Sequence, residues 1–173
     1  MVNCNFENKG CNGGQINIGL NYLIDEGTTS AACNGYNAEI SKCNWECDSH
    51  PKRRYKEKYE KFYCKPNSFK IETEIDIIQK EIYDNGPVAM SLMVYDDLPY
   101  FTSGIYSQKS EMLVGGHSVR GIGWGHDDDG SLYWIVHNSW GESWGEKGIG
   151  KIKAGQAGID VWALSCNPDM LVT

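Results

Sequence analysis

The stretch His117 to Asn138, HSVRGIGWGHDDDGSLYWIVHN, constrains the fold of this chain more than any other. Two runs rich in β-branched and aromatic residues flank His126-Asp127-Asp128-Asp129-Gly130, a dense turn signal. A chain reversed there pairs the two runs as an antiparallel hairpin. Folding about residue 128 sets position 117 against position 139 within a residue or so, which places His117 across from Asn138. A side-chain amide oxygen beside an imidazole accepts the ring N–H, fixes the tautomer and leaves the other nitrogen free to take a proton. An orienting amide and a histidine base are two members of a nucleophilic triad. Trp140 and Trp144 follow closely, and an indole over a His–Asn hydrogen bond keeps water from it.

The remainder divides near residue 67. Residues 1–66 hold Cys4, Cys11, Cys33, Cys43, Cys47 and Cys64, Gly-Asn turn signals, and one helical stretch, Ile16 to Ile24, stopped by Gly27. The run PKRRYKEKYEKFYCK carries seven Lys or Arg against Glu57 and Glu60, a local charge of +5. It reads as an anionic docking patch or as a solvated loop or helix that lays Tyr55, Tyr59, Phe62 and Tyr63 on the core. Residues 67–173 begin with the clearest helix, residues 71–85, with Ile71, Ile75, Ile78 and Ile82 on one face, Thr73 as cap and Asn85-Gly86-Pro87 as stop. Short β runs follow: Val88 to Tyr95, Ile105-Tyr106, Ser118 to Trp124, Leu132 to His137 and Ile149 to Lys153. The class is α+β, a cysteine-rich, partly helical half joined to a mostly antiparallel β half.

Composition excludes some functions. The net charge of −7 gives no overall basic footprint for nucleic acid, and no apolar run is long enough to span a membrane. The seven cysteines are an odd number, so an oxidised framework leaves one thiol over. Met1-Val2-Asn3-Cys4-Asn5-Phe6 has none of the marks of a secretory signal, yet the cysteine density suggests an oxidising compartment. Either the thiols are reduced or bind metal, or the chain starts partway through a longer exported protein. Cys33, Cys43, Cys47 and His50 fall within loose limits for a structural zinc site, and Asp127-Asp128-Asp129-Gly130 lacks the alternation and distal Glu of a calcium loop.

Several segments, in order along nearly the whole chain, resemble the papain-like cysteine peptidases: GCNGG at Gly10 to Gly14, GGHSV at Gly115 to Val119, GWG at Gly123 to Gly125 and YWIVHNSWGESWGEKG at Tyr133 to Gly148. SKCNWEC at Ser41 to Cys47, EIYDNGPV at Glu81 to Val88, SGIY at Ser103 to Tyr106 and GQAGID at Gly155 to Asp160 are similar to the cathepsin B-like branch. The resemblance implies a papain-like fold that is incomplete here, with the end of the helical left domain followed by the antiparallel β right domain. It implies His117 as general base and acid, Asn138 as the group that holds its imidazole, and Trp140 as the shield of that hydrogen bond. On the substrate side it implies Gly13 and Gly14 on a strand that pairs with the peptide backbone, Ser118 beside the S2 pocket, Trp140 nearby, and Trp162 where the branch has an acidic residue at the pocket base. A bulky Trp162 points to a shallow apolar pocket rather than a basic P2 preference. No cofactor and no metal are implied.

The departures are equally informative. The family's oxyanion glutamine and CGSCW-type segment, upstream of GCNGG, do not occur in this chain, and none of its cysteines has that context. Nine residues, none of them His, separate Cys33 from Cys43, so the branch's exopeptidase loop is also missing. The resemblance pairs Cys4 with Cys43 and Cys33 with Cys47, leaves Cys64 and Cys166 unassigned, and makes Cys11 an orphan whose partner lies in the absent nucleophile segment. The expectation is a cathepsin B-like endopeptidase represented by its C-terminal part and inactive alone. The alternative is a non-catalytic homologue that binds peptides or serves a structural role. Expected partners are a peptide or protein substrate and a light-chain-like segment or another protein, with no nucleic acid. The family's compartment is the lysosomal or endosomal lumen or the cell exterior. The helix at residues 16–24 is expected to expose an apolar face.

Overall fold

The computed structural model describes residues 1–47 and 58–169. His50, Tyr55 and the cations from Lys52 to Lys56 lie outside the described residues, so the basic run is seen only from Lys58. The chain forms two compact units, one of Met1–Phe69 with the stretch from Cys166, the other of Lys70–Ser165. Keeping the C-terminus with the β half, as the composition suggests, misses a covalent tie. Cys64 bonds Cys166, and Lys65 N–H donates to the Asn167 carbonyl at 2.8 Å, so the chain end returns to the first unit.

In the first unit, helix α1 spans Ile16–Asp25. Gly27 ends it at φ +69, where its N–H and that of Glu26 both donate to the Tyr22 carbonyl. A Cβ at Gly27 would lie 2.8 Å from the Tyr63 ring, so the turn needs glycine for its conformation and for its space. None of the α1 residues is fully buried; Ile16, Ile18, Leu20, Leu23 and Ile24 are half-exposed, as the expected apolar face requires. Disulfides Cys4–Cys43 and Cys33–Cys47 hold the loops. These bonds remove the zinc reading, because a half-cystine has no thiolate to give a metal. Phe62 is 54% exposed, contrary to the expectation that it lies on the core; its backbone instead bridges Thr28.

The second unit is a sheet with one helix. Strands β1 (Lys70–Glu72), β2 (Val88–Tyr95), β3 (Ile105–Tyr106), β4 (Leu113–His126), β5 (Leu132–His137), β6 (Ile149–Lys153) and β7 (Ala163–Ser165) lie in the order β1-β7-β2-β4-β5-β6-β3. All pairs are antiparallel except β3 with β6. Helix α2 covers Ile75–Asn85. The isoleucine period carries the expected helix one turn too far, since Ile71 belongs to β1 and is 52% exposed. Glu74 takes the N-cap position with no side-chain bond, so Thr73 is not the cap. Ile78 and Ile82 pack with Val88, Met90, Leu92, Val94, Val119, Trp134 and Val136 in one core. Alternate residues of β2 and β5 supply that core, as period-2 strands with one covered face must.

Candidate active site

The β4–β5 hairpin sets the site. Asp127 ties its turn by accepting from Ser131 N–H at 2.7 Å and Asp129 N–H at 3.2 Å, and Gly130 takes φ +83. These carboxylates cap backbone donors, and among the described residues no cluster of His, Cys, Asp and Glu could hold a metal ion. Pairing runs from His126↔Leu132 to Gly123↔Ile135, then shifts at a bulge to Gly121↔Val136 and Arg120↔His137. The bulge at Ile122 inserts one residue into β4, so His117 meets Asn138 diagonally across the end of the ladder.

His117 Nε2 and Asn138 Oδ1 are 2.8 Å apart. The same Oδ1 accepts from Ser139 N–H at 2.7 Å, which fixes the amide orientation with its oxygen toward the ring. An oxygen can only accept, so Nε2 carries the proton and Nδ1 keeps its lone pair. Asn138 is 7% exposed, and its own N–H donates to the Gly148 carbonyl at 2.9 Å where β5 has ended. Asn138 is therefore held by its backbone N–H and its side-chain oxygen, and the imidazole inherits that orientation.

An aromatic series braces the pair. Trp140 stacks on His117 with centroids 4.6 Å apart and planes at 25°. Trp144 meets Trp140 edge-on at 5.8 Å, and Phe101 packs against Trp144 at 5.6 Å. Trp144 is 4% exposed and its indole N–H donates to the Leu98 carbonyl at 2.9 Å. Trp144 is thus a core residue, and Trp140 is the indole that covers the pair. Phe101, which no sequence motif marks, anchors the series through Tyr106 at 5.8 Å.

Access to His117 is open along its own strand, because a Cβ built on Gly115 or Gly116 would meet nothing within 4 Å. Ser118 points to the opposite face of β4, paired with Ser91. Trp162, 49% exposed, donates its indole N–H to Ser91 Oγ, so Ser91 joins Ser118 and Trp162 in one surface and is a residue sequence reasoning missed. In the first unit, Gly13 (φ +98) and Gly14 are exposed; the Gly13 carbonyl already accepts from Lys9 N–H at 3.0 Å. Cys11 is the free cysteine, exposed in the short 3-10 turn Gly10–Asn12 and outside any α-helix.

A stacked His–Asn pair at the end of an antiparallel sheet can take up and release a proton at the free ring nitrogen. The model of the papain family cysteine proteases matches residues 1–166. The chain belongs to that family. It is 38% identical over 112 residues to a cathepsin B-like cysteine proteinase 3 of Ostertagia ostertagi, covering 65% of this chain and 62% of that protein. It is 32% identical to cathepsin B-like protease 1 of Arabidopsis thaliana, covering 87% of this chain and 43% of that protein. The structure of proCathepsin B S9 from Trypanosoma congolense superposes with a TM-score of 0.83 at 27% identity, over 98% of this chain and 59% of that one. The chain spans about half the length of such relatives.

Proposed function

We propose that this chain carries the proton-transfer half of a cathepsin B-like cysteine endopeptidase, whose thiolate comes from a segment outside these 173 residues. The single observation that carries the reading is the His117 Nε2–Asn138 Oδ1 bond of 2.8 Å, which leaves Nδ1 as the atom that exchanges protons. A cysteine thiol beside it gives its proton to Nδ1, and the resulting thiolate attacks the peptide carbonyl while His117 passes that Nδ1 proton to the leaving amine. Nδ1 then accepts a proton from the water that releases the acyl group. Asn138 holds the ring through both steps, and Trp140 keeps water from the bond.

The substrate is a peptide held in extended form along Gly13 and Gly14, with Gly14 the position whose backbone is left for pairing. Within the second unit, Ser118 and Trp162 offer a surface of P2 type, and the indole over Ser91 leaves it shallow and apolar, without a carboxylate for a basic residue. The thiol of Cys11 is an orphaned half-cystine rather than the nucleophile; six other cysteines are in disulfides. The unburied α1 face supports a light-chain-like partner that packs on it. Three disulfides suit a lysosomal, endosomal or extracellular setting.

The test is co-refolding with the nucleophile-bearing N-terminal portion of a cathepsin B-like relative, followed by hydrolysis of a fluorogenic dipeptide amide. Restored activity should fall by about 10²–10⁴ in His117→Ala. Asn138→Ala should cost about five- to tenfold, the worth of one hydrogen bond. Undiminished activity in His117→Ala would refute the assignment. A folded complex with no activity would favour the non-catalytic, peptide-binding alternative.

A further inference from the structure

The first unit holds a cavity of about 290 Å³ that the catalytic reading does not use. Tyr22 of α1, Tyr36, Trp45 and Tyr59 bring four aromatic rings to it, and Asn37 and Asn44 bring side-chain amides. Its walls are tied in place. The Cys33–Cys47 bond closes the loop that carries Tyr36 and Trp45, and Cys4–Cys43 anchors that loop to the first residues of the chain. Asn3 Nδ2 donates to Ser41 Oγ at 2.7 Å, while Asn3 Oδ1 accepts from Ser41 N–H at 2.9 Å. Thr28 and Phe62 exchange backbone bonds of 2.9 and 2.7 Å, which sets Lys61 beside the end of α1. Walls fixed before binding leave less freedom to be lost when a ligand enters.

The chemistry of the lining narrows the ligand. Lys61 Nζ lies 3.7 Å from Glu26 Oε2 and 4.3 Å from the Trp45 ring centroid, so its charge is already engaged. No carboxylate is among the described residues that line the cavity, which leaves an amine nothing to pair with. Burial holds the Met1 amino group below its ordinary pKa and Lys42 is exposed to water, so neither is a strong anchor for an anion. Trp45 is 53% and Tyr36 77% exposed, so ring surface remains for a ligand. Among the described residues no hydrogen bond engages the side-chain amides of Asn37 and Asn44, and each amide both donates and accepts. A purely apolar ligand would cover those amides without bonding them. Hydroxyls on a ring with C–H faces match both halves of the lining: the faces pack on the aromatic rings, and the hydroxyls bond the amides in either sense.

We propose that this cavity binds the end of a neutral saccharide chain, with its sugar rings against Tyr36 and Trp45 and its hydroxyls on Asn37 and Asn44. The proposal does not depend on the catalytic reading. The probes are maltotriose, mannotriose and N-acetylchitotriose, each titrated against the disulfide-intact full chain and followed by ligand-observed saturation-transfer NMR. At least one should bind with a Kd of about 1 mM or tighter. Trp45→Ala and Tyr36→Ala should each weaken that binding about five- to tenfold. Asn37→Ala with Asn44→Ala should weaken it about fivefold. Tyr83→Ala removes an exposed ring of α2 in the other unit and should change binding by less than about twofold. If a thiol assay shows that Trp45→Ala leaves Cys43 or Cys47 unpaired, Tyr36→Ala carries the test. Raising the salt to about 0.5 M should change binding by less than about twofold, since a neutral ligand has no charge to screen. Failure of all three sugars to bind at about 10 mM would overturn the proposal. So would binding that survives both aromatic substitutions. A sulfated trisaccharide or adenosine bound more tightly at the same rings would also overturn it, in favour of an anion or a planar base.

Discussion

Replacing Glu81 by Ala tests what ties α2 to the sheet. Glu81 is 6% exposed, and its carboxylate accepts from Lys70 Nζ of β1 at 2.7 Å, Ser165 Oγ of β7 at 2.9 Å and Asn85 Nδ2 at 3.0 Å. The Lys70 side chain is 38% exposed and recovers water when its partner goes, so that bond counts for about 1 kcal/mol. Ser165 is buried, and a stranded hydroxyl there costs about 1–3 kcal/mol, with about 1 more for Asn85. The loss is therefore about 3–5 kcal/mol, or about 1–5 M in the urea midpoint at the slope of a small domain. Tryptophan fluorescence with the disulfides intact is the assay, since Trp124, Trp134, Trp140, Trp144 and Trp162 all lie in the unit Lys70–Ser165. A midpoint lowered by less than about 0.3 M would refute the reasoning. Burial raises the Glu81 pKa, but the bonds from Lys70, Ser165 and Asn85 outweigh it and hold the carboxyl below its ordinary value. A folded pKa below the unfolded one gives stability that is full above the unfolded value and lost as pH falls through the folded one. The gap between the native chain and Glu81→Gln should thus be complete at neutral pH and close below about pH 4.

Other outcomes follow from the same geometry. Trp144→Ala should cost about 3–5 kcal/mol in urea unfolding, because it empties a buried volume and strands the Leu98 carbonyl. A thiol assay on denatured, unreduced chain should find only Cys11 reactive, and full reduction should expose all seven cysteines. Tyr106 is pushed up by burial and then by its 2.8 Å bond to Asp97, so its contribution is intact below about pH 10 and lost as pH rises further. Phenolate absorbance should show one tyrosine ionising only as the chain unfolds; its ionisation in the folded state alongside exposed tyrosines would contradict this.

Local patterns disclosed most of what positions the His–Asn pair. The Asp-Gly turn and the alternation of Leu132–His137 act within the hairpin itself, so they are visible in sequence. The bulge at Ile122 is not, because nothing local distinguishes an inserted residue from a paired one. The glycines of β4 read as breaks, which shortened the expected strand from Leu113–His126 to its middle. Ile71 fits a helical period and yet joins a strand, since its partner Leu164 is distant in the chain. The same distance hid β7 and the Cys64–Cys166 bond. Motifs marked Ser118 and Trp162 separately, whereas only the register of β2 shows Ser91 between them.

The central claim is that the proton-transfer pair is built and its thiolate lies elsewhere. Incubating the purified, disulfide-intact chain with a fluorogenic dipeptide amide tests it most directly. The proposed function puts the nucleophile outside the chain, so the expected result is no turnover above buffer. Turnover abolished by a thiol-directed epoxide, and absent from Cys11→Ser, would contradict the account and place the nucleophile within the chain.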